Sequence, residues 1–202
     1  YPRNHKKDLI ILKKLNVNFV FIPKIDQIYN SKKKIKIGKK NKILCAKFRK
    51  GHFEGVIDVM DRLTVLIKPK KIFMGEKDYQ QFYLVKKYLN RKYSSKMIQC
   101  KTIRNKNGIA LSSRNLLLDK KNLFIAGKFI KDLMNLRNKY SKNNNFNKIL
   151  NLKKKEFSKF YKIKIEYLEL RNLNNLKLSK KIKNSKIFVA FYLNKVRLID
   201  NI

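Results

Sequence analysis

Apolar residues recur at two alternating spacings over the first hundred residues of the chain. Leu9, Leu12 and Leu15 are spaced three apart, which predicts a short amphipathic helix. The next stretch, "NVNFVFIP" (16–23), is an apolar run stopped by a proline and predicts a buried strand. A second helix is predicted over 54–68. Its apolar face consists of Val56, Val59, Met60, Leu63 and Ile67.

The alternation continues beyond Pro69, which ends that helix. "KIFM" (71–74) predicts a short strand, a helix follows from Asp78, and "MIQCKTI" (97–103) predicts another strand. The third helix turns Phe82, Val85 and Leu89 inward. Helices alternating with strands are typical of a parallel sheet with crossover helices. Ligands of such sheets bind beyond the carboxyl ends of the strands, so 75–78 and Ile103 are candidate positions.

The pattern changes after residue 103. "NKNG" (105–108) predicts a turn, and 118–140 predict a long helix capped by Asp119. "SKNNNFN" (141–147) predicts a polar linker. Three strand-like stretches follow with little helix between them: "IKIEYLEL", "KIFVAFYL" and "VRLID". We therefore predict two domains, 1–102 with the parallel sheet and 103–202 with a smaller antiparallel α+β unit.

The net charge of +39, from 52 Lys and Arg against 13 Asp and Glu, admits two explanations. A nucleic-acid-binding protein would carry such charge, clustered on one face or interleaved with aromatic residues. Here the lysine runs are scattered, at 32–34, 39–40, 70–71, 86–87, 153–155 and 180–181. Lys, Asn and Ile share A/T-rich codons, so compositional drift is the favoured explanation, and no specific nucleic-acid partner is expected.

Composition also bears on location. No apolar run approaches the roughly 18 residues of a membrane span, so no membrane association is expected. Cys45 and Cys100 lack the spacing of a metal site and are interpreted as buried free thiols in a reducing compartment. A cytoplasmic location follows as the expectation.

Glycine is scarce, yet four of the six glycines fall in three short stretches: "RKGHFEGV" (49–56), "GEKD" (75–78) and "NGIALSSRN" (107–115). Each alone could be an ordinary turn. Three together, beside polar clusters and strand ends, favour a binding site. Gly75 would let a ligand approach the backbone closely, and Lys77 at a helix start could meet a phosphate.

Other residues of these stretches have alternative roles. Asp78 could cap the following helix, or face a ribose or a metal ion. The Gln81 amide both donates and accepts, which suits a hydroxy acid. Arg114 could hold a phosphate bidentately, although a serine-rich turn with a surface arginine explains "LSSRN" equally well. His52, as a lone histidine, is more often a neutral structural group than a catalytic one.

Taken in order and at these separations, "RKGHFEGV", "FMGEKDYQQ" and "GIALSSRN" resemble the pantothenate synthetase family. "YPR" at the beginning, "EYLELRNL" (166–173) and "RLIDNI" (197–202) are also similar to that family. The resemblance is close over 49–115, fair over 1–30 and 163–202, and weak over 120–162.

The resemblance implies an α/β fold: a nucleotidyltransferase-like Rossmann parallel sheet with a smaller C-terminal α+β domain, usually in a homodimer. It implies an AMP-forming ligase that joins (R)-pantoate to β-alanine. ATP, with Mg²⁺ present, first converts the pantoate carboxylate to pantoyl adenylate and releases pyrophosphate. The amine of β-alanine then displaces AMP.

The resemblance also assigns site residues, but no metal ligand. Those matching ATP-binding positions are Gly75, Glu76, Lys77, Asp78, Ile103, Leu111, Ser112, Ser113 and Arg114. Of these, Lys77, Ser112 and Arg114 would be catalytic, because they would stabilise the charge that develops on the phosphates. Gln81, His52 and Val59 match positions that line the pantoate site.

Departures from the family pattern are of two kinds. Leu111 stands where Met is usual and Ile103 where Val is usual, both mild changes. The family's His-x-Gly-His stretch, which binds the ATP phosphates, has no counterpart, and the chain begins roughly eighty residues into the family's length, as if the first βαβ unit were missing. We therefore expect an incomplete Rossmann sheet, and a chain that is inactive and poorly soluble by itself. A basic nucleic-acid-binding protein and another adenylate-forming ligase or synthetase fragment remain the alternatives.

Overall fold

The computed structural model describes residues 5–29, 31, 35–140 and 145–202. The "YPR" match, the lysines at 32–34 and the first part of the predicted linker, 141–144, lie outside the described residues. The chain divides after residue 34 into two units, and Ile35–Ile202 forms a compact unit of its own.

The first unit contains helix α1 (His5–Lys14), as predicted, and the one-turn helix α2 (Ile25–Ile28). The buried strand predicted at 16–22 is wrong. This stretch has no strand structure, and the Phe19 side chain is 93% exposed. A strand needs a neighbour to satisfy its backbone N–H and C=O groups, and no described residue pairs with this segment.

The predicted parallel sheet is present. Strands β1 (Lys71–Gly75) and β2 (Lys96–Cys100) pair in parallel, with Gly75 opposite Cys100 at their carboxyl ends. The expectation that both cysteines are buried is wrong for Cys100, which is exposed at this strand end, whereas Cys45 is buried. Helix α5 (Tyr79–Leu89) makes the crossover between them, and Phe82, Val85 and Leu89 are buried as predicted. The alternation of helix and strand spacing therefore identified the topology correctly.

Helix α4 (His52–Ile67) precedes β1, after the one-turn helix α3 (Cys45–Phe48). Its most buried face is not the predicted one. Phe53, Ile57, Asp61 and Thr64 are buried, whereas Ile67, predicted to face inward, is more than half exposed. Phe53 and Ile57 of this face pack in the core, and Asp61 on the same face accepts a hydrogen bond from the Tyr93 hydroxyl, 2.7 Å away.

Helices α6 (Lys120–Lys139) and α7 (Phe146–Phe160) follow. The Asp119 carboxylate caps α6, as predicted, by accepting a 2.7 Å bond from the backbone N–H of Asn122. Helix α7 was not predicted. Strands β3 (Lys164–Asn172), β4 (Ser185–Leu193) and β5 (Val196–Asn201) form the predicted antiparallel sheet in the order β3-β4-β5.

The antiparallel sheet separates two apolar clusters. Alternate residues of a strand point to opposite faces. Val189 and Phe191 of β4 accordingly pack with α6 and α7, whereas Phe188 and Ala190 pack with α4, α5 and the parallel sheet. Tyr167 of β3 joins the second cluster. The two sheets thus share a core beside the carboxyl end of β1. The predicted domain boundary near residue 103 stays a prediction.

No helix among the described residues is both long enough and apolar enough to cross a bilayer.

Candidate active site

Strand β1 passes at its carboxyl end into a 3₁₀ turn, Glu76–Asp78, which leads directly into α5. The backbone N–H groups at the start of α5 therefore lie at the end of the strand, where they attract anions. Gly75 at this junction has a φ of −67°, and a Cβ built on it would meet no protein atom within 4 Å. Neither backbone strain nor internal packing requires a glycine at position 75. What distinguishes this position is the open space beside its backbone.

Glu76 connects three elements. Its carboxylate accepts bonds from Lys186 Nζ of β4 at 2.5 Å, from Gln99 Nε2 of β2 at 3.0 Å and from the Thr102 backbone N–H at 3.4 Å. Burial acts to raise the pKa of Glu76, but the hydrogen bond and charge of Lys186, together with the hydrogen bonds from Thr102 and Gln99, outweigh burial and hold the pKa below its usual value. This side chain anchors the turn. Its predicted contact with ATP stays a prediction.

Asn201 of β5 holds the same turn through the backbone carbonyl groups of the turn. Its Nδ2 donates to the carbonyl oxygens of Glu76 and Lys77, both at 2.8 Å. The neighbouring Asp200 carboxylate forms a two-point ion pair with Arg104, with N···O distances of 2.6 and 2.9 Å. Sequence reasoning missed the supporting roles of Lys186, Asn201 and Arg104. The only signal was the "RLIDNI" match, which gave no role to any of its residues.

A cleft of about 380 Å³, counted with its open mouth, lies beside the turn. Four predicted site residues line it together: His52, Lys77, Asp78 and Gln81. The Lys77 side chain is half-buried and forms no hydrogen bond or ion pair with any described residue. Asp78 occupies the N-cap position of α5, yet its side chain makes no capping bond. Both charged groups therefore face the cleft without a protein partner in the described part of the chain.

His52 lies at the start of α4, on the opposite wall. Burial lowers the pKa of His52, the positive charges of Arg49, Arg114 and Arg197 lower it further, and Asp78 acts in the opposite direction. The result is a pKa below 6.5, so the imidazole is neutral at pH 7. The neutral ring can both donate and accept a hydrogen bond.

The loop after residue 107 brings the remaining predicted residues together. The Leu111 N–H donates to the Ile103 carbonyl at 2.9 Å, and both side chains are more than half exposed. The Ser112 hydroxyl accepts from the Arg114 backbone N–H at 3.3 Å, and Arg114 Nη1 donates to the Arg197 carbonyl at 2.8 Å. This loop is thus fixed to β5, with Arg114 near enough for its charge to act on His52.

Several predicted site residues do not line this cleft. Val59, which is half-buried on α4, is absent from the lining. So are the predicted ATP-binding residues Gly75, Glu76, Ile103 and 111–114. The adjacent glutamine, Gln80, is structural: its Nε2 donates to the Ile43 carbonyl at 2.7 Å and to the Asn41 carbonyl at 3.3 Å. Gln80 also lines the cleft, and its Oε1 has no hydrogen-bond partner among the described residues, but its amide is fixed through Nε2. The Gln81 side chain makes no such structural bond to a described residue.

The floor of the cleft contains a buried polar pair that sequence reasoning also missed. Cys45 Sγ lies 3.1 Å from the Tyr167 hydroxyl, and Arg197 Nη2 donates to the same sulfur at 3.5 Å. Arg197 is in turn paired with Glu166. Burial, followed by the effect of Cys45, raises the pKa of Tyr167, so this hydroxyl stays protonated. The pair joins α3 to the antiparallel sheet and holds one wall of the cleft in place.

Within the described residues, no three His, Cys, Asp or Glu side chains come together as a set of metal ligands. Asp78 is the carboxylate that lines the cleft without an ion pair to a described residue, since Asp200 is paired with Arg104. A Mg²⁺ ion that is bound mainly by substrate phosphates needs only one or two protein carboxylates. The residues present therefore fit such an ion.

Comparison with known proteins gives consistent results. A family profile described as pantoate-beta-alanine ligase matches residues 1–202. The pantothenate synthetase of Campylobacter hominis is 35% identical over 207 residues, covering 100% of this chain and 75% of the relative. That of Pseudothermotoga lettingae is 34% identical over 211 residues, covering 100% and 73%.

Solved structures agree. Pantothenate synthetase from Thermus thermophilus superposes with a TM-score of 0.89 at 26% identity, covering 100% of this chain and 75% of that one. Pantoate-beta-alanine ligase from Francisella tularensis, complexed with beta-gamma ATP and beta-alanine, superposes with a TM-score of 0.79 at 32% identity, covering 100% and 70%.

Proposed function

The chain belongs to the pantoate–β-alanine ligase family, and we propose that the cleft beside the Glu76–Asp78 turn carries its reaction, the ATP-dependent joining of pantoate to β-alanine. The observation that carries this proposal is the arrangement of Lys77, Asp78, Gln81 and His52 around one cleft at the carboxyl end of a parallel strand. The cleft therefore supplies an unpaired cation and an unpaired carboxylate, and also an amide and a neutral imidazole. Such groups suit two substrates, one that carries phosphates and one that is a hydroxy acid.

In the first step, a carboxylate oxygen of pantoate attacks the α-phosphorus of ATP, and the bond to pyrophosphate breaks. Negative charge then grows on the departing pyrophosphate. We assign Lys77 and Arg114 as the cations that stabilise this charge. Ser112 and Ser113 would donate hydrogen bonds to the same phosphates. Preorganised donors stabilise developing charge without a cost of reorganisation. The bond from Arg114 to the Arg197 carbonyl uses only Nη1, so its other N–H groups stay available.

The nucleotide would lie along the strand end. Ile103 and Leu111 are joined through the backbone and expose apolar side chains, and an adenine could pack against them. The open space above Gly75 admits a close approach to the backbone. Asp78 would face the ribose or hold Mg²⁺. When bound, Mg²⁺ would neutralise part of the phosphate charge.

Pantoate would be held by Gln81, whose amide can donate to its carboxylate and accept from its hydroxyl. His52 adds a neutral donor and acceptor on the other wall. Val59 is the least supported of the predicted pantoate contacts, since it does not line the cleft. In the second step, the amine of β-alanine attacks the acyl carbon, the C–N bond forms, AMP leaves and the amine loses a proton.

The same proposal includes a homodimer, a cytoplasmic location and the absence of a specific nucleic-acid partner. The scattered lysine runs support the last of these, because a nucleic-acid footprint requires clustered charge.

The test is the exchange of labelled pyrophosphate into ATP by the full-length protein. We expect exchange that requires pantoate and that Lys77→Ala abolishes. Equal exchange with unrelated carboxylic acids would favour another adenylate-forming ligase. Retention of full exchange in Lys77→Ala would disprove the assignment of the site.

A further inference from the structure

A second pocket includes the Glu76 carboxylate but neither Lys77 nor Asp78. The proposed reaction does not use this pocket. Lys101, Thr102, Arg104, Arg137 and Lys186 line this open pocket of about 870 Å³, which also includes the Glu76 carboxylate. Four of the side chains are positively charged, against the one carboxylate of Glu76. It is therefore an electropositive concavity formed by the end of β2, helix α6 and strand β4.

Two of the four cations are already neutralised. Lys186 pairs with Glu76 at 2.5 Å, and Arg104 pairs with Asp200 at 2.6 Å. Lys101 and Arg137 have no ion pair or hydrogen bond with any described residue. Two lining cations are thus left without a carboxylate partner among the described residues, which favours binding of an anion.

Unpartnered polar atoms distinguish this pocket from the scattered surface lysines. Arg137 Nε and Thr102 Oγ1 are both buried, and neither has a hydrogen-bond partner in the described part of the chain. A buried donor without an acceptor destabilises the folded protein. Arg137 is in the last turn of α6, whose dipole favours a cation but supplies no acceptor for Nε. Because solvent does not reach either atom, an oxyanion in the pocket would contact the other N–H groups of Arg137 first, and would bond to Nε or to the Thr102 hydroxyl only after these side chains shift.

We propose that this pocket binds a small phosphate-bearing anion, with Arg137, Lys101 and the Thr102 hydroxyl as donors. Phosphate fits because a guanidinium and a hydroxyl can donate to separate oxygens of one tetrahedral group. The pocket adjoins the reaction turn through Glu76, whose partner Lys186 would also face the anion. The site is distinct from the cleft of the proposed reaction, which Lys77, Asp78 and Gln81 line.

The experiment is calorimetric titration of the protein with inorganic phosphate at about 0.1 M chloride, where long-range surface charge is screened. We expect saturable one-to-one binding that Arg137→Gln weakens at least about tenfold, because a charge-assisted bond is lost. Arg91→Gln, the same charge change at an exposed arginine, is the matched control and should leave binding unchanged. Thr102→Val and Arg137→Lys should each weaken phosphate binding. If Arg137→Gln does not fold, the phosphate affinities of these two variants test the proposal instead.

Two further arms identify the anion. Lys77→Ala should retain phosphate binding, and a non-hydrolysable ATP analogue should not displace the phosphate, since the reaction cleft is separate. A single-stranded oligothymidine should bind, if at all, independently of Arg137, because dispersed charge governs such binding. The proposal is overturned by an absence of saturable phosphate binding, by equal loss in Arg137→Gln and Arg91→Gln, by displacement with the ATP analogue, or by Arg137-dependent binding of the oligonucleotide alone.

Discussion

Asn201 donates from Nδ2 to the carbonyl oxygen of Lys77 at 2.8 Å, although 124 positions separate the two residues in the chain. The same amide donates to the Glu76 carbonyl. Strand β5 therefore holds the turn that presents Lys77 to the cleft. This contact makes the position of the proposed catalytic lysine depend on the antiparallel sheet.

Replacing Asn201 by alanine should destabilise the protein. The side chain is almost fully buried, and its loss leaves two carbonyl groups without their donor, at a cost of about 1–3 kcal/mol in the free energy of unfolding. Urea unfolding measures the change. Asn90→Ala, at an exposed asparagine, is the matched control and should stay within about 0.5 kcal/mol of the wild type. Equal stability of the two variants would contradict the anchoring role.

Lys77→Ala should lower the adenylation rate of the full-length protein by about 10² to 10³, because one preorganised cation is lost from the departing pyrophosphate. The unfolding midpoint should not change, since Lys77 has no ion pair or hydrogen bond to a described residue through its side chain. Single-turnover AMP formation measures the rate, and Lys120→Ala at an exposed lysine is the control.

Arg114→Ala should affect the same step, but with a stability cost, because its Nη1 bond to the Arg197 carbonyl is also lost. Arg114→Lys separates the two effects, since it keeps the charge and loses the planar fork. Normal turnover of both alanine variants would show that the site has been misassigned.

Glu76 predicts a specific dependence of stability on pH. Burial raises the pKa, but the bond and charge of Lys186 and the bonds from Thr102 and Gln99 together outweigh it, so the pKa is lower in the folded protein than the ordinary 4.5. The ionised form is therefore favoured by folding, and the stabilisation is present above pH 4.5 and is lost as the pH falls through the folded pKa. Glu76→Gln should be less stable than the wild type at pH 7, and the difference should shrink in acid.

Urea unfolding of both proteins at several pH values checks this. Glu156→Gln provides the comparison, because Glu156 forms an exposed pair with Lys153 and should show little effect at any pH. A stability difference between Glu76→Gln and wild type that does not vary with pH would argue against an ionised Glu76–Lys186 pair.

His52 should titrate below pH 6.5, because burial and then Arg49 lower its pKa. The neutral form is favoured by folding, so this group contributes stability above pH 6.5 that is lost as the pH falls below it. The chain has only two histidines, so NMR of the imidazole signals resolves His52 once His5→Gln has assigned the other. Arg49→Gln should raise the pKa of His52, and an unchanged or lower value would contradict the proposed electrostatic environment.

Much of the fold was predictable because its signals are local. The helical spacing of Phe82, Val85 and Leu89 and the short apolar strands identified α5, β1 and the antiparallel sheet. The same reasoning failed at 16–22, since an apolar run is a strand only when another strand pairs with it. It also placed Ile67 on the buried face of α4, although Ile67 is more than half exposed and the polar Asp61 is buried with a bond from Tyr93.

The sequence by itself determined the family, the motifs and the elements on which they lie, because residue order and spacing carry that information directly. Only the tertiary structure decided which motif residues share a space. It brought His52, Lys77, Asp78 and Gln81 to one cleft and left Val59 outside it. It also paired the Glu76 carboxylate with Lys186, and it placed the Lys77 carbonyl oxygen within hydrogen-bond distance of the Asn201 amide. These contacts join residues more than a hundred positions apart, and no local pattern encodes them, since they exist only when both sheets have folded.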